Sequence, residues 1–94
     1  MTMVQTIREK LTAAFAPQEL IVDDDSGKHA GHSGARPGGE THFSVRIVSE
    51  SFEGASRVER QRRVYAALSA EFKPNGIHAL ALVTLTPAEM WQEH

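Results

Sequence analysis

Apolar side chains recur at helical spacing from the start of the chain, with Val4, Ile7, Leu11, Ala14 and Phe15 on one side. Thr2 and Gln5 stand three apart as the halves of a capping box, and Pro17 marks the end of this first predicted helix. Residues 19–23 (ELIVD) are short and rich in branched apolar types, which predicts a strand, and Asp23, Asp24 and Asp25 then lead the chain away from the core. Residues 24–40 read DDSGKHAGHSGARPGGE, where Gly, Pro and Ser oppose regular structure and no apolar period appears. A long loop is expected there. Connections longer than about 12–15 residues are uncommon within one domain and are often functional, the plainer alternative being a mobile loop with fast amide exchange.

The pattern changes period at residue 41. Over residues 41–49 Phe43, Val45 and Ile47 alternate with His42, Ser44 and Arg46, which predicts a strand with one buried and one polar face. Ser56 and Glu59 form a second capping box, and a helix is predicted from there to Phe72 with Val58, Tyr65, Leu68 and Phe72 on its apolar side. On that wheel Arg57, Arg60, Arg62 and Arg63 spread over the flanks and outer face, and Gln61 falls inside the apolar stripe. Pro74–Asn75–Gly76 closes the helix, and residues 77–85 (IHALALVTL) are apolar enough for a largely buried strand or a buried helix, of which the short length and the bounding Gly and Pro favour the strand. Thr86, Pro87 and Glu89 supply an N-cap, a proline at the first helical position and a capping-box acid, placing Met90 and Trp91 on a short last helix. The predicted order is αββαβα, an α+β domain with no internal repeat.

Composition narrows the possibilities. At 94 residues, 40% hydrophobic and 23% charged, residues 1–94 suit one globular domain. The absence of cysteine excludes a disulfide, a thiolate nucleophile and a self-contained zinc finger or iron–sulfur centre. The sequence shows neither a signal-peptide pattern nor a run of about 18 apolar residues, so a cytoplasmic protein without a membrane role, monomeric when free, is expected. A net charge of −2 gives no global attraction to nucleic acid, leaving only a local patch to provide it. No nucleophile motif, phosphate-cradling turn or buried carboxylate pair is present, so no enzyme is expected.

Chemistry-bearing residues are few. Among five histidines, His78 interrupts an apolar run and so needs partners for its ring nitrogens, as a hydrogen-bonded structural residue or as a ligand. His29 and His32 form an H-x-x-H pair in the loop, suited to weak capture of a divalent metal or simply solvated. Arg57, Arg60, Arg62 and Arg63 have the geometry for phosphate contacts, but Glu50, Glu53, Glu59 and Glu71 dilute the patch and favour a solvated helix face. Gly31–His32–Ser33–Gly34 matches the G-x-x-G of a KH domain, but it lies between strands rather than between helices.

THFSVRIVS at residues 41–49, FEG at 52–54, RVY at 63–65, IHALAL at 77–82 and the following Thr86–Pro87 together resemble the BolA family, over nearly the whole chain. The resemblance implies a three-stranded mixed sheet backed by helices, a KH-like arrangement of the second class. It also implies partnership with a monothiol glutaredoxin and glutathione around a shared [2Fe–2S] cluster, in iron–sulfur trafficking or iron regulation. Within that pattern His78 is one cluster ligand, and the other is a loop histidine: His29 counting forward from Ser26, His32 counting back from His42, with His29 preferred. The alternative family role is transcriptional regulation by DNA binding, which would use the arginine-bearing helix. One departure stands out, since Arg60–Gln61–Arg62 replaces the family's R-H-R. If its central His serves the fold, a Gln amide imitates it; if it serves the partner or cluster, the implied function is weakened.

Overall fold

The computed structural model describes residues 2–25, 42–72 and 76–92. Helix α1 spans Met3–Phe15, and its capping box is complete: Gln5 N–H donates to Thr2 Oγ1 at 3.2 Å, and Thr2 N–H donates to Gln5 Oε1 at 2.8 Å. The helix stops at Ala16, whose φ of 44° places it in the left-handed region while its N–H still reaches Thr12 O. Strands β1 (Glu19–Asp24) and β2 (His42–Val48) pair antiparallel, with Glu19 opposite Val48 and Asp24 opposite Phe43. Strand β3 (Ala79–Leu85) pairs parallel with β2, His42 opposite Ala79 and Val48 opposite Leu85. The sheet order is β1-β2-β3, a mixed sheet with β2 at its centre.

Between β2 and β3 come a 3₁₀ turn at Glu50–Phe52, helix α2 (Arg57–Ala67) and a second 3₁₀ turn at Ser69–Glu71. Gly54 takes φ +80° in the turn that feeds α2, a conformation an L side chain rarely adopts. Ser56 caps α2 by accepting from Glu59 N–H at 3.1 Å, while the Glu59 carboxylate pairs with Arg63. Helix α3 (Pro87–Gln92) follows Thr86, which exchanges both capping-box bonds with Glu89 at 2.9 and 3.2 Å. The α+β class and the αββαβα order hold as predicted, and the main helix ends five residues early in a tighter 3₁₀ winding. Pro74 and Asn75, read as its stop, lie outside the described residues.

Among the described residues, α1 and α2 pack against one sheet face. Phe43, Val45 and Ile47 of β2 pack against Ile7, Leu11 and Phe15 of α1, Val64 of α2, Leu68, Phe52 and Ile77. Phe15 and Phe52 rings meet at 5.0 Å. Ser49 is buried where the elements converge and donates from Oγ to Phe15 O at 2.7 Å, and Ser51 Oγ donates to the same carbonyl at 3.2 Å, so two hydroxyls satisfy a carbonyl left open at the end of α1.

Two expectations fail, each for its own reason. Strand β3 is half-open rather than largely buried: Leu80 and Leu82 join the core, but Ala79, Ala81 and Val83 are exposed, and among the described residues nothing covers them on the other sheet face. On α2 the buried positions are Arg60 and Val64, continued by Leu68, whereas Val58 and Tyr65 are exposed at 57% and 41%. Gln61 is exposed and does not lie in an apolar stripe. The periodicity misleads because an arginine occupies a position on the buried face.

Candidate functional site

Among the described residues, the candidate side chains lie in two places, one at the end of the sheet and one on α2. At the first, three chain segments meet. Strand β1 ends at Asp24, β2 begins at His42, and β3 begins at Ala79, directly after His78. The antiparallel register sets Asp24 opposite Phe43, and the parallel register sets His42 opposite Ala79, so Asp24, His42 and His78 share one rim. The His42 and His78 rings stand 5.7 Å apart between centroids, tilted by 38°. His78 is exposed and His42 half-buried. Asp25 is tied to the same rim by Ser44, whose Oγ donates to its carboxylate. A shallow groove of about 290 Å³ lined by Asp25, His42, Phe43, Ala79, Leu80 and Ala81 adjoins the pair.

His78 thus lies where an outside group can reach it, set by the first residues of a paired strand. His29 and His32 lie outside the described residues. His42 is the residue that sequence reasoning missed as a candidate: its place on the polar face of an alternating strand looked like ordinary solvent exposure, and only the parallel pairing of β2 with β3 carries it to His78. Among the described residues no three His, Cys, Asp or Glu side chains converge on a point where one ion would bind. The rim therefore offers imidazole donors without thiolates, which fits a share in a cluster completed by other ligands and does not fit a private one.

The second place removes a candidate. Arg60, expected on the flank or outer face of α2, is only 5% exposed, so it cannot serve as a surface phosphate contact. Its Nε donates to Ala55 O at 3.0 Å and its Nη1 to Thr84 O at 3.1 Å. The same guanidinium grips Glu89 in a fork, with Nη1 to Oε1 at 2.6 Å and Nη2 to Oε2 at 3.2 Å, joining α2, β3 and α3. The hydrogen bond from Arg60 holds the Glu89 carboxyl down at about 2, well below its ordinary 4.5, and the Thr86 N–H adds to the effect. Arg57 and Arg62 are exposed, and Arg63 is exposed while bonding to Ser51 O and Glu59. These three remain from the predicted set of four.

The match to known proteins is extensive. The family model described as BolA-like protein covers residues 11–89. SufE-like protein 1, chloroplastic/mitochondrial, of Arabidopsis thaliana is 50% identical over 89% of the chain, which corresponds to 24% of that protein. The solved structure of BolA1 from Arabidopsis thaliana superposes with a TM-score of 0.79 at 45% identity, covering 92% of this chain and 93% of the other. The DNA-binding transcriptional regulator BolA of Haemophilus influenzae is 38% identical over 95% of the chain and 82% of its own length. The chain spans from about a quarter to about three fifths of the length of the first curated relatives it matches. No helix among the described residues is long and apolar enough to cross a membrane.

Proposed function

The chain belongs to the BolA family, and from that premise and its imidazole rim we propose that it is a non-enzymatic adaptor that joins a monothiol glutaredoxin and glutathione around a shared [2Fe–2S] cluster. His78 supplies one ligand and a loop histidine, His29 or His32, the other. The observation that carries the reading is the position of His78: exposed, at the start of a paired strand, on the rim from which residues 26–41 depart at Asp25 and to which they return at His42. His29 is four residues beyond Asp25, a covalent reach of at most about 14 Å, and His32 is seven beyond, at most about 25 Å. The shorter tether favours His29. Two imidazoles on one iron have a precedent in Rieske centres, and the other iron needs thiolates that this chain lacks, so a partner must bring them.

The test is an ultraviolet–visible and circular dichroism titration of the glutaredoxin–glutathione–cluster complex with this protein. A new heterocomplex spectrum is expected with the wild type and is lost in His78→Ala. His29→Ala weakens the complex, and the His29→Ala/His32→Ala pair weakens it further. An unchanged spectrum and cluster stability in His78→Ala overturns the reading.

One relative's name favours a second reading, a nucleic-acid-binding regulator using α2. With Arg60 buried, that reading rests on Arg57, Arg62 and Arg63, and salt-sensitive retardation of DNA tests it.

A further inference from the structure

We infer that His42 and His78 together form a bidentate site for one divalent transition-metal ion of the Zn²⁺, Ni²⁺ or Cu²⁺ class, in the free protein and without any cluster or glutaredoxin. The site does not depend on the adaptor reading, because neither loop histidine takes part in it. Imidazole suits these cations, with a metal–nitrogen distance near 2.0–2.1 Å. Adding the ring radius puts each ring centroid about 3.2 Å from the ion, so two rings on one ion have centroids about 5.2 Å apart at a tetrahedral angle and about 6.4 Å apart when opposed. The observed 5.7 Å falls between these limits. Face-to-face stacking at van der Waals distance would leave no such space, and the rings here are further apart and tilted by 38°.

The backbone already fixes the positions from which both side chains leave the sheet. His42 begins a strand paired on both sides, and His78 directly precedes Ala79, its partner in the parallel ladder, so binding orders little chain. The charge around the rim has the right sign. Asp23, Asp24 and Asp25 close β1 at this end, and Asp25 lines the groove that His42 also lines. Their field raises the local cation concentration, with waters completing an open coordination shell.

The experiment titrates Zn²⁺, and separately Ni²⁺, into the full chain by calorimetry, with ¹⁵N spectra of the imidazoles recorded alongside. The nitrogens of His42 and His78 are expected to shift together at one equivalent. His42→Ala and His78→Ala each lower affinity by about tenfold or more, while His29→Ala/His32→Ala stays within about threefold of wild type. His42→Gln, which keeps a polar side chain of similar size at the strand start, reproduces the loss, and a thermal melt by circular dichroism verifies that each variant is folded. Binding that survives in His42→Ala, disappears in the loop double variant, or is absent from the wild type at millimolar metal overturns the inference. His42→Ala with intact heterocomplex formation but no metal binding separates this site from the cluster role. Loss of the heterocomplex in His78→Ala alone bears on the cluster role and leaves the metal result to stand or fall by itself.

Discussion

Arg60 has two carbonyls and a carboxylate for its guanidinium, and among the described residues Glu89 supplies the compensating charge. Because the Glu89 pKa is lower in the folded chain than its ordinary 4.5, the folded state holds fewer protons in this range. The pair's contribution is complete above about 4.5 and disappears as pH falls through about 2. The Glu89 side chain is 39% exposed, so solvent screening limits that contribution to about 1 kcal/mol. Glu89→Gln is expected to lower stability at pH 7 by about that amount and to flatten the acid limb between 4.5 and 2, read from urea midpoints at several pH values. Two backbone positions give opposite predictions. Ala16 ends α1 at φ 44°, so Ala16→Gly relieves the left-handed penalty at the cost of a more flexible unfolded chain, a net gain of about 0.5–1 kcal/mol. At Gly54, with φ +80°, an added Cβ meets nothing within 4 Å, yet Gly54→Ala is expected to lose about 1 kcal/mol through backbone strain alone. Thermal melts of the two variants should move in opposite directions.

The buried face of α2 is set by Arg60, Val64 and Leu68, and mutation reads that face directly. Leu68→Ala, at a fully buried position, is expected to cost about 2–5 kcal/mol, whereas Val58→Ala should change stability by less than about 0.5 kcal/mol. Comparable losses at the two positions would restore the face predicted from periodicity. That prediction erred because Arg60 hides in the pattern: its guanidinium is satisfied by groups on three other segments, none of which is visible from the helix alone. Local signals elsewhere mostly held, except that Glu59, read as the returning half of a capping box on Ser56, pairs with Arg63 instead. The caps at Thr2, Ser56 and Thr86 depend on residues three apart, and the alternation in β2 depends on a core face built by neighbours of either direction. The openness of β3 was not legible, since ALALVTL is apolar at both parities and which parity faces α1 and α2 is set by tertiary packing. His78 gained its significance from the family resemblance. The importance of His42 could come only from strand pairing, because a parallel neighbour far along the chain leaves no trace in local spacing.

At the scale of the whole molecule the two readings of function make different demands on charge. A DNA-binding chain at physiological salt draws most of its affinity from cations that displace counterions, and each neutralised phosphate contributes about −0.9 to the slope of log affinity against log salt. This chain carries a net charge of −2, and the burial of Arg60 leaves Arg57, Arg62 and Arg63 on α2, the last already engaged with Glu59. Three contacts set the slope for this helix no steeper than about −3, with affinity in the non-specific range of about 10⁻⁴–10⁻⁶ M near physiological salt. Arg57→Ala/Arg62→Ala should then reduce the slope by about 2 and leave glutaredoxin-dependent spectra unchanged, since neither residue contributes to the His78 rim. Filter-binding or anisotropy titrations from 50 to 200 mM salt measure it. A slope near −6, or nanomolar binding that persists in the double variant, would mean that a basic surface outside α2 carries DNA recognition, and the adaptor reading would lose its advantage.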